Sequence, residues 1–130
     1  MLKLYSTAVT IFFGLDMIWL GLVANRFYKS HIGTFLRPDI QWGPALLFYG
    51  LFVLGLLVFV ISPAVANGSI RSAIGYGALF GLISYATYDL TNLATLRDWP
   101  WIVSVVDMAW GGILGAVVSG LTVFIANRLF

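Results

Sequence analysis

The chain has 130 residues, of which 61% are hydrophobic, 16% aromatic and 9% charged, with a mean hydropathy of +0.98. A soluble domain carries about 25% charged residues, so this composition excludes a water-soluble monomer and identifies a membrane protein. The net charge of +2 comes from scattered basic residues, which excludes a nucleic-acid surface, and the absence of cysteine excludes disulfides, thiolate metal sites and a cysteine nucleophile.

A spanning helix needs roughly 20 apolar residues to cross about 30 Å of hydrocarbon. Four stretches qualify: Leu4 to Ala24, Pro44 to Ser62, Ser72 to Leu96 and Trp101 to Ala126. Barrel strands would alternate polar with apolar residues, whereas Leu51 to Ile61 is apolar on every face. The expected fold is therefore all-α, an integral membrane four-helix bundle forming one transmembrane domain over residues 1–130. Lys3 before an apolar run has the start of a signal peptide, but Asp16 interrupts the run and no small-residue cleavage pattern follows. The longest expected loop is Asn25 to Gly43, where Arg26, Lys29, His31, Arg37 and Asp39 mix with Phe27, Tyr28, Phe35 and Trp42, a composition suited to the headgroup layer. A turn from Pro63 to Arg71 contains Asn67-Gly68, and Arg97-Asp98-Trp99-Pro100 leads into the last helix, with Pro100 suited to its first turn.

Four crossings put both termini on one side of the bilayer with Lys3, Arg71 and Arg128. Arg26, Lys29, Arg37 and Arg97 then lie on the other. This distribution gives only a slight lean toward the second side being cytoplasmic.

The acids carry the information. Asp16, Asp89 and Asp107 fall inside spans, where a charged side chain costs about 2.5 to 3.5 kcal/mol on insertion scales. At 1.5 Å per residue each lies roughly 9 to 12 Å from the boundary on the side opposite the termini, so all three share one depth. Residues three and four apart share a helix face. Tyr85, Tyr88, Asp89, Asn92 and Thr95 therefore form one stripe, Asp16 and Trp19 another, and Ser104, Asp107 and Trp110 a third. Turning these faces together, with the uncharged second helix as an apolar wall, removes them from hydrocarbon. Gly77 with Gly81 and Gly111 with Gly115 have the small-xxx-small spacing of close helix contacts. The pattern Asp-Met-x-Trp occurs at Asp16-Met17-Ile18-Trp19 and again at Asp107-Met108-Ala109-Trp110, an echo compatible with inverted repeats around a midplane site.

Two readings of the acids stand side by side. They are neutral hydrogen-bonded staples between helices, each worth about 0.6 kcal/mol, or they line a functional pocket together with Trp19, Tyr88, Asn92 and Trp110. Desolvated carboxyl groups at one depth favour a shared proton. Trp42, Trp99 and Trp101 are expected in the interfacial belt, and His31 at the solvated or headgroup surface. No Gly-x-Ser-x-Gly elbow, His-Glu-x-x-His or phosphate loop is present; three carboxylates are compatible with a hard cation, although no spacing singles out an ion, and the sequence does not identify a cofactor. Tyr88-Asp89 with Asp107 has a limited resemblance to the paired aspartates of intramembrane proteases, whose second Gly-x-Gly-Asp element is missing here.

The string from Ala86 to Leu96, containing Thr87-Tyr88-Asp89-Leu90-Thr91-Asn92, is followed by Trp99-Pro100 and Asp107-x-x-Trp110-Gly111. Together with Leu15-Asp16-x-x-Trp19-Leu20 and Phe27-Tyr28, it resembles the signature of a bacterial membrane family, domain of unknown function 2177, over nearly the whole chain. The resemblance implies a small multi-pass protein of the bacterial inner membrane and no particular reaction. The functional expectation is binding or transport of a cationic or proton-coupled small solute through an acidic, aromatic-lined pocket. The alternatives are a lipid-modifying enzyme using paired Asp residues and an accessory subunit of a larger membrane complex. Expected partners are membrane lipids, and a second copy or a larger complex.

Overall fold

The structure, a computed structural model, describes residues 1–36 and 41–130. Its described residues form an all-α bundle. We number the helices α1 (Leu2–Phe35), α2 (Trp42–Asn67), α3 (Ile70–Thr95) and α4 (Trp101–Leu129). α1, α2 and α4 are long and apolar enough to cross a membrane. α3 has the length, but its Ser, Thr, Tyr, Arg71 and Asp89 make it the most polar of the four.

The expected loop at Asn25 to Gly43 is largely helix. α1 continues from Leu2–Trp19 through Leu20–Ala24, a wider π-type turn, into Asn25–Ile32 and a final 3₁₀ turn at Gly33–Phe35. Arg37 and Asp39 of that expected loop lie outside the described residues. The π turn has a geometric consequence. Buried positions on α1 recur every four residues, at Ala8, Phe12, Asp16, Ala24 and Ile32, with half-buried Tyr28 in the same series. In an α-helix four residues turn through about 400°, so such a stripe drifts by about 40° per step. A π turn holds one extra residue and removes about 100° of that drift. It therefore returns Tyr28 to the face of Asp16.

α2 repeats the device. Its π turn at Leu57–Ile61 keeps Phe52, Leu56, Val60 and Ala64 buried on one face. Pro63 lacks an N–H for the carbonyl of Phe59, which loosens the helical ladder at this turn. α2 nevertheless continues to Asn67, so the expected turn from Pro63 to Arg71 is reduced to Gly68 and Ser69. Gly68 takes φ +64°, as a left-handed helix terminator requires. The Ser69 hydroxyl caps α3 by accepting from the Ser72 N–H at 3.1 Å.

α3 and α4 make the tightest contact in the bundle. A Cβ on Gly77 or Gly81 would overlap the carbonyls of Gly115 and Gly111, and a Cβ on Gly115 would overlap that of Gly77. The backbones thus touch, as the glycine spacing implies. α1 and α2 are joined by the Tyr5 hydroxyl donating to the Gly50 carbonyl at 3.1 Å. An aromatic cluster of Phe12, Phe13, Tyr49, Phe52 and Tyr85 fills the middle of the core. Leu22, Leu47, Phe59 and Ile83 are exposed on the outside, where hydrocarbon suits them.

Two outcomes test this packing. Gly81→Leu is expected to lower the thermal unfolding midpoint of the purified protein, at a cost of more than about 3 kcal/mol because backbone must separate, whereas Gly75→Leu, which meets open space, leaves it within error. The chain has no cysteine, so Tyr28→Cys with Asp107→Cys gives a single pair for cross-linking by a short bifunctional thiol reagent, which spans the gap left by the tyrosine ring. Deleting Leu22 should preserve the cross-link yield by converting the π turn to α. Inserting one alanine after Leu22 should abolish it by turning position 28 about 100° away.

Candidate functional site

All four helices supply polar groups to one region of the bundle. Asp107 of α4 is its hub. One Asp107 oxygen accepts from the Tyr28 hydroxyl at 2.5 Å, and Asp89 of α3 stands beside the same carboxyl. Asp16 of α1 also lies near Asp107, with the Tyr49 hydroxyl and the Trp110 indole next to it. The three acids expected at one depth are therefore neighbours, with Asp107 near each of the other two. The second helix is more than an apolar wall, because Tyr49 belongs to it.

The three carboxyls have unequal surroundings. Asp16 is buried with polar neighbours, and Asp107 is half-buried with a hydrogen-bond donor. Asp89 is fully buried, no hydroxyl or N–H donor reaches its oxygens among the described residues, and the Asp107 carboxyl stands within hydrogen-bonding reach, so the two can share a proton. The Asp89 backbone is held more firmly. The Trp99 indole N–H donates to the Ser104 hydroxyl at 3.0 Å, and that hydroxyl donates to the Asp89 carbonyl at 2.8 Å. This relay clamps the start of α4 to α3. Trp99 is only 7% exposed, which corrects its assignment to the interfacial belt. Trp42 and Trp101 are exposed, as belt residues would be. His31 is exposed and bonded to Ser30 and the Phe27 carbonyl.

A cavity of about 670 Å³ opens between α1, α3 and the start of α4. Asp89, Asp107 and the rings of Tyr28, Tyr88 and Trp99 line it, with Lys29 also contributing. The rest of the lining is mainly apolar, including Leu20, Gly21 and Ala24 of the π turn. Of the expected pocket residues, Tyr88, Asp89 and Asp107 meet in this cavity. Asp16, Trp19 and Trp110 form an inner layer beside it, the two indoles stacked 4.5 Å apart and 5° from parallel. The Trp110 N–H has no hydrogen-bond partner among the described residues. Asn92 is half-buried next to Tyr88 and outside the cavity lining. Tyr28, Tyr49 and Lys29 were not among the expected pocket residues. Tyr28 was traceable in principle from its place in the four-residue series through Asp16.

Among the described residues no group of three or more His, Cys, Asp or Glu side chains has the arrangement to hold a metal ion. The site can instead offer a carboxylate pair, phenol hydroxyls and aromatic faces to a monovalent positive charge.

The Tyr28–Asp107 bond is measurable. Tyr28→Phe and Asp107→Asn in a double-mutant cycle should give a coupling of about 1 to 2 kcal/mol, above the average of about 0.6 for interhelical bonds in membranes because one partner is a carboxyl group. A coupling near zero by reversible unfolding in mixed micelles would remove the bond from the account.

No solved structure matches the chain. It is 36% identical over 66 residues to one subunit of the ion-translocating oxidoreductase complex of Shewanella sediminis (strain HAW-EB3), a match that covers 50% of this chain and 19% of that protein. The chain thus spans about a fifth of the length of that curated relative. The pattern of the family described as "Predicted membrane protein (DUF2177)" matches residues 1–124, and the chain belongs to that family.

Proposed function

We propose that this protein is a cation- or proton-accepting unit of the bacterial inner membrane, its four helices forming one transmembrane domain that binds a small solute for transport. One observation carries the reading. Asp89 is fully buried at a cavity wall beside a second carboxyl, and no hydroxyl or N–H donor reaches its oxygens among the described residues. A staple between helices would use its oxygens as acceptors, as Asp107 does with Tyr28. A buried polar group left without a partner costs free energy, and such groups at membrane depth mark ion and proton routes. A proton or a bound cation supplies what Asp89 lacks.

Asp16 and Asp107 extend the route by adjacency, and Trp19, Tyr88, Asn92 and Trp110 shape its walls. The enzyme alternative would use the same pair, since adjacent carboxyls that share a proton can divide acid and base roles; it predicts product formation from a lipid that disappears in Asp89→Asn.

The similarity to a component of an ion-translocating oxidoreductase complex favours a second reading that is compatible with the first. In it the bundle is one subunit of a larger membrane assembly and passes a cation or proton to or from a neighbour.

Purified protein in liposomes loaded with a pH-sensitive dye should exchange protons when a monovalent cation is added outside. Asp89→Asn should reduce the rate at least tenfold while circular dichroism and elution volume stay unchanged. Equal rates in the two proteins would defeat the transport reading. If Asp89→Asn keeps a fixed copurifying partner and that complex is fully active, the chain is an accessory subunit only.

A further inference from the structure

The cavity beside Asp89 has a chemistry that narrows the solute, and this narrowing rests on the cation-accepting reading above. From its lining we infer that the cavity is a site for an apolar organic monocation, an ammonium group on a hydrocarbon or aromatic body, and not for a metal ion.

Three observations converge. The first is the mismatch between volume and polar groups. About 670 Å³ lies within the range of sites for organic molecules, roughly 300 to 1,000 Å³, and far exceeds what a bare ion needs. The second is the donor set. Hard cations take six or more oxygen ligands at short range, but most of this lining is carbon, from residues such as Met17, Leu20, Ile32 and Val103. Among the described residues no cluster suited to a metal is present.

The third is the position of the aromatic rings. Tyr28, Tyr88 and Trp99 line the same cavity as Asp89 and Asp107, and Tyr88 meets Trp99 edge to face at 5.9 Å between centroids. Aromatic faces attract cations that shed water easily, quaternary ammonium groups above all. The carboxyl supplies the charge, the rings accept the methyl or methylene shell, and the apolar lining holds the body. Asp107 and Asp89 share the carboxyl's role: Asp107 is half-buried at the cavity with one oxygen taken by Tyr28, and the fully buried Asp89 beside it adds a carboxyl that no hydroxyl or N–H donor reaches among the described residues. Lys29 also lines the cavity and carries a positive charge. Its charge opposes every cation, and a dication twice as strongly as a monocation, which favours a single positive charge.

The test uses the full chain in lipid nanodiscs, with empty nanodiscs as the background. The probes are benzyltrimethylammonium, its uncharged carbon isostere neopentylbenzene, and sodium ion. Binding is read by tryptophan fluorescence and by calorimetry. Benzyltrimethylammonium should bind saturably, at least tenfold more tightly than neopentylbenzene, and should be unaffected by a large excess of sodium. Asp89→Asn should weaken it at least tenfold. Gly21→Phe, whose added side chain meets open space at the cavity wall and leaves both carboxyls in place, should weaken it comparably.

Equal binding of the charged and uncharged probes by the unaltered protein would overturn the proposal without recourse to any variant. Saturable sodium binding that depends on Asp89, with no binding of benzyltrimethylammonium, would overturn it while leaving the cation-accepting function intact. Failure of all probes together with absent proton exchange in liposomes would overturn both.

Discussion

A carboxyl group placed in the hydrocarbon layer must be given a proton, a donor or a cation, because lipid tails supply none of these. This chain places three such groups in one region of the bundle, with Asp107 near each of the other two, and its architecture follows from how each is met. Asp107 receives the Tyr28 hydroxyl. Asp16 is set among the Tyr49 hydroxyl and the Trp110 indole. Asp89 receives neither among the described residues, and it lies on the cavity. The inequality matters more than the number of acids. Three equally satisfied carboxyls would describe a cross-braced bundle, whereas a buried pair of acids with one hydroxyl donor between them describes a candidate site.

Close backbone contact makes that inequality possible. Gly77 and Gly81 let α3 settle onto α4 at Gly111 and Gly115 until carbonyl oxygens occupy the space of side chains. A Leu at any of these positions would hold the helices apart and separate Asp89 from Asp107. The same contact explains how a helix as polar as α3 belongs in the bundle. Its small residues Ala73, Gly77 and Gly81 are buried together with Asp89, and it is held at its far end by the Trp99–Ser104–Asp89 relay. The helix is retained by its fit to α4 more than by its affinity for lipid. That is consistent with α3 alone falling short of the apolarity expected of a span.

Much of this was legible in the sequence, for physical reasons that can be named. Apolar length marks the helices because hydrocarbon thickness is fixed. The depth of each acid follows from the constant rise of a helix, and the glycine pairs follow from steric exclusion. The sequence reading failed where a local signal was ambiguous. Polar residues from Asn25 to His31 resemble a headgroup loop, yet they form the exposed side of a continuing helix whose other side presents Tyr28 and Ile32 inward. Trp99 beside a short turn has the composition of an interfacial residue. Only the Ser104 hydroxyl one turn later shows where its N–H goes. Tyr49 was hidden in an apolar run, where a single phenol does not interrupt periodicity. The π turn at Leu20–Ala24 has no composition of its own, and its trace is the persistence of a four-residue spacing over a length at which an ordinary helix would have drifted off the core.

The π turn joins the fold to the site. Its residues Leu20, Gly21 and Ala24 line the cavity, and the rotation it introduces brings the Tyr28 hydroxyl onto Asp107. Helical side chains lean toward the N-terminus, so Tyr28 reaches back along α1 from a position nearer the headgroups to a carboxyl deeper in the bundle. Had α1 continued as a regular helix, Tyr28 would face about 100° away, and Asp107 would stand open beside Asp89 as a second unmet acid. Two bare carboxyls would favour a shared proton or a divalent ion over a single organic charge. On the reading proposed above, a single extra residue in one turn of α1 gives Asp107 a hydroxyl donor and leaves Asp89 beside it without one, which reduces the acceptor oxygens offered to a charge in the cavity.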